Sequence, residues 1–339
     1  MKKLVNVGGV IIGGDKIVIQ SMTNTLTADV DATVKQINAL ADVGADLVRV
    51  SVPDVESAFA IKNIVKKSKV PLIGDIHFSA KPAIIAIENG IKKIRVNPYN
   101  MSNSDIREVV KKCIEYDVPI RVGVNKGSSK NATTPKKLAE SAVECAKRIE
   151  DFGFNKLVLA VKSSNVRETV EAYKELSKIT DYPLHIGLTE AGTKESGSIK
   201  SAIAIGSLLL DGIGDTIRVS LATDPIEEIY MAKKILRAVG IDKDYAEVIA
   251  CPTCARTNIN VEELATRVEK LTMGIDKKLK VAVMGCVVNG IGESKDADIG
   301  VAGGKDKSVI FVKGEPVTTV SNDQVEEVLM RMIKEMIND

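Results

Sequence analysis

Apolar positions alternate between two rhythms over roughly the first 240 residues. Short β-branched runs recur at 17–23 (IVIQSMT), 47–52 (LVRVSV), 71–78 (PLIGDIHF), 93–98 (KIRVNP), 119–125 (PIRVGVN), 156–164 (KLVLAVKSS), 183–190 (PLHIGLTE) and 216–222 (TIRVSLA). Between them lie longer segments with apolar residues at helical spacing, such as 28–45, which closes on Gly44. Strand and amphipathic helix in strict alternation predict parallel βαβ units. Eight such units predict an α/β fold of the (β/α)8 TIM-barrel type, although an open doubly wound sheet carries the same pattern. The opening VNVGGVIIGGD reads as a short hairpin before the first barrel strand. Its Gly8, Gly9, Gly13 and Gly14 lack the lysine of a phosphate-cradling loop, so they are assigned to turns.

After a helix at 224–239 the alternation stops, and a linker at 241–245 leads to a different pattern. A strand at 246–251 is followed by a helix opened by Asn260 and Glu263, a strand at 280–286, a hairpin at Lys313–Gly314, and a last helix capped by Ser321 with Gln324. This predicts a small α+β domain over 246–339 after a barrel domain over 1–240.

Composition narrows the function. Lys and Arg number 47 against 45 Asp and Glu, and aromatics make up 3%, so the chain has neither a basic field nor stacking platforms for nucleic acid. The first apolar run is broken by glycines without a cleavage site, and no stretch reaches the roughly 18 apolar residues of a membrane span. A cytoplasmic protein with no membrane partner is expected. An odd count of five cysteines in such a chain points to metal or redox chemistry over a disulfide framework.

Inward positions near the carboxyl ends of barrel strands form the active-site mouth. Here those positions carry costly side chains: Arg49 with Ser51, Asp75 with His77, Arg95 with Asn97, Arg121 with Asn125, His185 with Thr189, and Arg218 with Ser220. Lys162 and Glu190 stand at two further strand ends. Any one of these reads equally well as a solvated surface charge. Four arginines and a lysine recurring at one end of separate strands form a cationic basin, which is stable only around an anion of several charges such as a diphosphate. Of the two carboxylates, Glu190 is the expected proton donor.

Cys113 and Cys145 fall within helical patterns and read as small hydrophobes. Cys251, Cys254 and Cys286 differ: CPTC follows one strand directly and Cys286 follows another. A structural zinc site would lack its fourth ligand, and a thioredoxin-type CxxC would not recruit Cys286. Three thiolates suit a 4Fe-4S cluster with one iron left for a weaker ligand, for which Glu293 is a candidate.

The segments QSMTNT (20–25), GDIHF (74–78), RVNP (95–98), GVNKGS (123–128), GLTEAG (187–192), IGDTIRVSL (213–221), ACPTCART (250–257) and VMGCVVNGIGE (283–293) occur in one order along the chain. In this the sequence resembles the bacterial 4-hydroxy-3-methylbut-2-enyl diphosphate synthases, iron-sulfur enzymes of the non-mevalonate isoprenoid pathway. The resemblance implies that Cys251, Cys254, Cys286 and Glu293 hold a 4Fe-4S cluster in the second domain. It also implies that the barrel binds 2-C-methyl-D-erythritol 2,4-cyclodiphosphate and reduces it with two electrons from ferredoxin or flavodoxin. The short linker at 241–245 further predicts a head-to-tail homodimer, in which the cluster domain of one chain serves the barrel of the other.

Overall fold

The computed structural model describes residues 2–128, 132–272, 275, 277–287 and 294–338. It divides into two compact units, Met1–Val239 and Gly240–Asp339.

The first unit opens with a hairpin of β1 (Val5–Val7) and β2 (Val10–Ile12), turned by Gly8 and Gly9 at positive φ. Alternating strands and helices follow: β3 (Val18–Met22), α1 (Val30–Asp42), β4 (Leu47–Val52), α2 (Val55–Lys67), β5 (Leu72–Ile76), α3 (Ala80–Glu88), β6 (Lys93–Val96) and α4 (Asn103–Tyr116). They continue as β7 (Ile120–Asn125), α5 (Pro135–Glu150), β8 (Leu157–Lys162), α6 (Val166–Ile179), β9 (His185–Ile186), α7 (Lys194–Leu210), β10 (Thr216–Ile217) and α8 (Pro225–Ala238). Several helices begin where short polar side chains accept the first free backbone N–H groups. Asp54 accepts from Ser57, Ser102 from Asp105, and Asn165 from Glu168.

The eight strands β3 to β10 run parallel in the order β8-β7-β6-β5-β4-β3-β10-β9, and a parallel bridge between Leu159 and Leu184 joins the two ends. This is the closed alternative of the two that the alternation allows. The strands are buried on both faces: their outward side chains are apolar and pack against the helices, while several inward ones are polar or charged. The hairpin stops the amino-terminal end of the barrel, where Val5, Val7 and Ile12 pack on Val18, Leu47, Ile73 and Val158.

Two strands are shorter than the sequence predicts. The runs 183–190 and 216–222 pair only at His185–Ile186 and Thr216–Ile217. Close to them a Cβ on Gly187 would lie 2.5 Å from the carbonyl oxygen of Arg218, so the backbones approach too closely for a side chain. The N–H of Leu184 is taken by the buried Asp215 carboxylate at 2.7 Å, and that of Leu221 by the Glu228 carboxylate at 2.9 Å. Side chains thus replace ladder partners where regular pairing ends.

In the second unit β11 (Ala246–Ala250), β12 (Leu279–Met284), β13 (Ile299–Ala302), β14 (Lys307–Val312) and β15 (Glu315–Ser321) form one sheet in chain order. The first three strands are parallel and the last three antiparallel. The helices α9 (Val261–Thr272) and α10 (Val325–Asn338) pack on it, contributing Leu264, Val268, Leu329 and Ile333. The sequence pattern does not reveal β13, whose Gly300 lies so close to the Phe311 ring that any Cβ would collide with it. The expected hairpin stands at Lys313 and Gly314, both with positive φ.

Candidate functional site

Parallel register carries Asp75, Arg95 and Arg121 to one row of the barrel and Arg49 to the inward row before it. Arg49 pairs with Ile73, Asp75 with Arg95, and Arg95 with Arg121. Asp75 is 5% exposed and lies between two guanidiniums: Nη1 of Arg95 donates to Oδ1 at 3.3 Å, and Nε of Arg49 is 3.8 Å from Oδ2. Burial alone would raise the Asp75 carboxyl. The surrounding Arg49, Arg95, Arg121 and His77 outweigh it and hold the group below the usual carboxylate range.

The cations are less well balanced. Burial drives the Arg49 guanidinium down to about 9, with Arg218 and Arg95 adding to the effect and Asp75 opposing it. A guanidinium does not deprotonate under ordinary conditions, so this direction measures how much the site disfavours its own charge. Arg49 donates through Nε and Nη2 to the thioether of Met22 at 3.1 and 2.8 Å, a weak acceptor for so strong a donor. Arg121 is 1% exposed, and Nε, Nη1 and Nη2 are all without a hydrogen-bond partner among the described residues. Burial, followed by the charge of Arg121, pushes Lys162 well below the usual lysine range. Arg218 faces the buried Glu228, with Nη2 3.6 Å from Oε2.

His77 Nε2 lies 3.4 Å from Ser51 Oγ. His185 is fully buried, with Nδ1 3.4 Å from Thr216 Oγ1 and Nε2 unpartnered among the described residues. Burial, then Arg121, Lys162 and Lys93, pushes His185 well below the usual imidazole range, so it is neutral. The Asn97 side-chain oxygen accepts the Tyr99 N–H at 3.2 Å and caps a short turn. Asn125 ends β7, and Ser220 lies half-buried beyond β10. Glu190 is exposed, on a turn where its own φ is +53° and that of Gly192 is +115°.

Sequence reasoning misses two side chains of the site. Lys93 stands one inward position below Arg95, completely buried, with Nζ unpartnered among the described residues. The same alternation that reveals Arg95 extends to it. Glu228 lies in the first turn of α8, where an acid ordinarily serves the helix dipole, and nothing in the local pattern shows that it turns toward a strand. Six basic side chains (Arg49, Lys93, Arg95, Arg121, Lys162, Arg218) thus face two carboxylates, Asp75 and Glu228. An unpartnered guanidinium surrounded by like charges is stabilised by an anion with several oxygens.

In the second unit, β11 and β12 are paired through Ala250 and Val283, so Cys251 and Cys286 follow the carboxyl ends of neighbouring parallel strands. Sγ of Cys251 accepts the Gly285 N–H at 3.1 Å. Cys254 is exposed on a turn fixed by hydrogen bonds between its backbone and Thr257, and by Asn258 N–H to Gly285 O at 2.8 Å. Hydrogen bonds from Arg256 lower its thiol from the usual range. No group of three His, Cys, Asp or Glu side chains among the described residues is gathered tightly enough for a metal ion, and Glu293 lies outside those residues. Cys113 and Cys145 are buried in the barrel layer, where burial raises both thiols.

Residues 2–233 match the model of the GcpE TIM-barrel domain, and residues 247–335 that of the GcpE protein C-terminal domain. The chain is 50% identical to the 4-hydroxy-3-methylbut-2-en-1-yl diphosphate synthase (flavodoxin) of Caldanaerobacter subterraneus subsp. tengcongensis, over 100% of this chain and 99% of that protein. It is also 50% identical to the protein of the same description from Thermotoga maritima, with the same coverage. Among solved structures, dihydropteroate synthase from Stenotrophomonas maltophilia superposes with a TM-score of 0.55 over 70% of this chain and 97% of that one, at 16% identity. That likeness concerns the barrel fold alone. No described helix is long and apolar enough to cross a membrane.

Proposed function

The chain belongs to the GcpE family and makes 4-hydroxy-3-methylbut-2-enyl diphosphate, and from that premise we propose how its residues divide the work. The substrate is 2-C-methyl-D-erythritol 2,4-cyclodiphosphate. Its conversion takes up two electrons, opens a ring C–O bond and releases one hydroxyl as water.

The barrel, residues 1–240, holds the cyclodiphosphate between Arg49, Arg95, Arg121, Lys162 and Arg218. The observation that carries this reading is Arg121, buried among other cations with all three guanidinium nitrogens unpartnered among the described residues. Asp75 orients Arg49 and Arg95. His77, Asn97, Asn125, His185 and Ser220 supply polar contacts to the carbon skeleton's oxygens. Glu190, at the exposed turn after β9, delivers the proton to the departing hydroxyl.

In the domain at 246–339 the donor set suits an iron-sulfur centre: two thiols follow neighbouring strands, one already accepts a backbone N–H as a thiolate does, and the third stands beside Arg256. Cys251, Cys254 and Cys286, with Glu293 as fourth ligand, would hold a 4Fe-4S cluster. Such a cluster would supply single electrons and one iron held only by the weaker Glu293 ligand. The electrons come from reduced flavodoxin, as the relatives' descriptions indicate, or from ferredoxin. A cytoplasmic homodimer completes the proposal. Five free thiols suit that reducing compartment.

The test is anaerobic purification followed by a spectrum and a turnover assay. A broad band near 400 nm, iron and sulfide in equal amounts, and dithionite-driven loss of the cyclodiphosphate are expected. A colourless protein after iron and sulfide reconstitution would overturn the cluster assignment.

A further inference from the structure

Glu228 reaches from an outer helix into the end of the barrel, and its two carboxylate oxygens have different partners. Oε1 accepts the Leu221 N–H at 2.9 Å, and Oε2 stands 3.6 Å from Nη2 of Arg218. The residue is 5% exposed. It takes this place because α8 begins at once after the strand end: Asp224 accepts the Ile226 N–H, Pro225 starts the helix, and the first turn presents Glu228.

The segment it holds has lost its strand. Regular pairing of β10 ends at Ile217, and beyond it several backbone N–H groups find separate acceptors. Arg218 donates to Ile186 O at 3.1 Å, Leu221 to Glu228, and Ala222 to Gly192 O at 3.0 Å. The Leu221 side chain is pressed on α7 so closely that a Cβ on Gly197 would lie 2.6 Å from it. Glu228 is therefore attached to one end of a short relay. At the other end is Gly192, in the turn that carries Glu190.

We propose that Glu228 is a positioning residue: its Oε2 sets the Arg218 guanidinium for the diphosphate, and its Oε1, through Leu221 and Ala222, steadies the turn that presents Glu190. The inference rests on the reading that the barrel binds the cyclodiphosphate. Burial raises the Glu228 carboxyl while Arg218 and the Leu221 N–H oppose it, which agrees with a carboxylate kept for its partners at some cost to itself.

Electrostatics alone and positioning predict opposite signs. Removing a negative charge beside an anion site strengthens anion binding by Coulomb attraction. Loss of a fixed Arg218 weakens it. Glu228→Gln keeps an oxygen for the Leu221 N–H and removes only the charge facing Arg218, so the two effects separate. The Kd of cyclodiphosphate is measured by calorimetry on the cluster-loaded protein, for the unaltered chain, Glu228→Gln, Arg218→Met and the double variant. We expect Glu228→Gln to weaken binding roughly tenfold, the scale of one charged hydrogen bond to the ligand, and to cause no further weakening in the Arg218→Met background. Glu228→Ala, which also frees Leu221, should lower kcat in addition. Binding by Glu228→Gln as tight as or tighter than the unaltered protein overturns the proposal, as does an undiminished effect in the double variant. If Glu228→Gln does not fold, Arg218→Met and Arg218→Met/Glu228→Gln still test it, because neither leaves Arg218 without its counter-charge: a double variant that binds more weakly than Arg218→Met overturns the proposal. Failure of the unaltered chain to bind cyclodiphosphate would instead overturn the functional reading, and this inference with it.

Discussion

A Cβ on Gly123 would stand 3.1 Å from Nε of Arg95. Gly123 occupies the inward position of β7 above Arg121, and its missing side chain is the space in which the neighbouring strand's guanidinium lies. In a strand interior, alanine normally improves on glycine because less backbone entropy is lost. Gly123→Ala should therefore hold or raise the melting temperature while displacing Arg95. A side chain forced off its rotamer costs of order 0.5–1.5 kcal/mol, so KM for cyclodiphosphate should rise roughly twofold to tenfold with kcat little changed. A stable variant with unaltered KM would show that Arg95 does not bind the diphosphate in this pose.

The cysteines divide by environment. Cys251→Ser, Cys254→Ser and Cys286→Ser should each abolish turnover and the intact cluster band, because in the proposed cluster each would be the only protein ligand of one iron. Cys113→Ser and Cys145→Ser should leave both in place, since those thiols are buried in the barrel layer and burial suppresses their ionisation. A Cys286→Ser protein with a normal spectrum and normal turnover would sink the ligand assignment.

Glu190→Gln should fold, load its cluster and bind cyclodiphosphate, because the side chain is exposed and the turn's positive φ suits glutamine no worse than glutamate. Turnover should fall by about 10²- to 10⁴-fold, the usual contribution of a positioned proton donor. Single-turnover measurement separates this from a binding defect. Unchanged turnover would assign the proton to another group.

Legibility in the sequence depends on whether the information is local. The alternation that defines the barrel is a property of each run by itself, and so is the placement of Arg49, Asp75, Arg95 and Arg121 on inward positions. The early end of β9 and β10 is not local. It follows from Asp215 and Glu228 taking backbone N–H groups of other segments and from the crowding of Gly187 on Arg218. Lys93 obeys the period of β6, but a buried lysine without a partner among the described residues contradicts ordinary expectation, so the period alone does not mark it as part of the site. Strand β13 is hidden because Gly300, which Phe311 covers, carries no β signal.

His185 gives the barrel a specific acid sensitivity. Its folded-state pKa is depressed by burial and by Arg121, Lys162 and Lys93, so the native protein keeps it neutral while the unfolded chain takes up a proton near pH 6.5. Stability from this residue is complete above the unfolded pKa and is lost as pH falls toward the folded one, at up to about 1.4 kcal/mol per pH unit. Asp75, also depressed, makes its loss only below the ordinary carboxylate range, outside this window. Glu228, whose pKa is raised, acts in the opposite sense, but equally in wild type and variant. His185→Gln should flatten urea-unfolding stability between pH 7 and pH 5.5 relative to the unaltered chain. Parallel curves would mean that His185 takes up its proton alike in the folded and the unfolded chain, so that burial does not hold it neutral.

The last prediction concerns which chain completes which site. In a (β/α)8 barrel each helix runs back along the outside, so α8 returns the chain to the face opposite the strand ends that carry the arginines. Its 14 residues at 1.5 Å each cover about 21 Å, while the five residues 241–245 reach at most about 18 Å when fully extended. The linker is therefore shorter than the helix that precedes it. The homodimer proposed above would remove the difficulty, with a two-fold axis giving each cluster domain the other chain's cationic end. Cys251→Ser and Glu190→Gln, each inactive alone, should then complement one another when subunits exchange. A mixed dimer of that kind contains one site with both lesions and one with neither, so turnover should recover toward one working site per dimer. Mixed dimers that form and stay inactive would show that each cluster serves its own barrel.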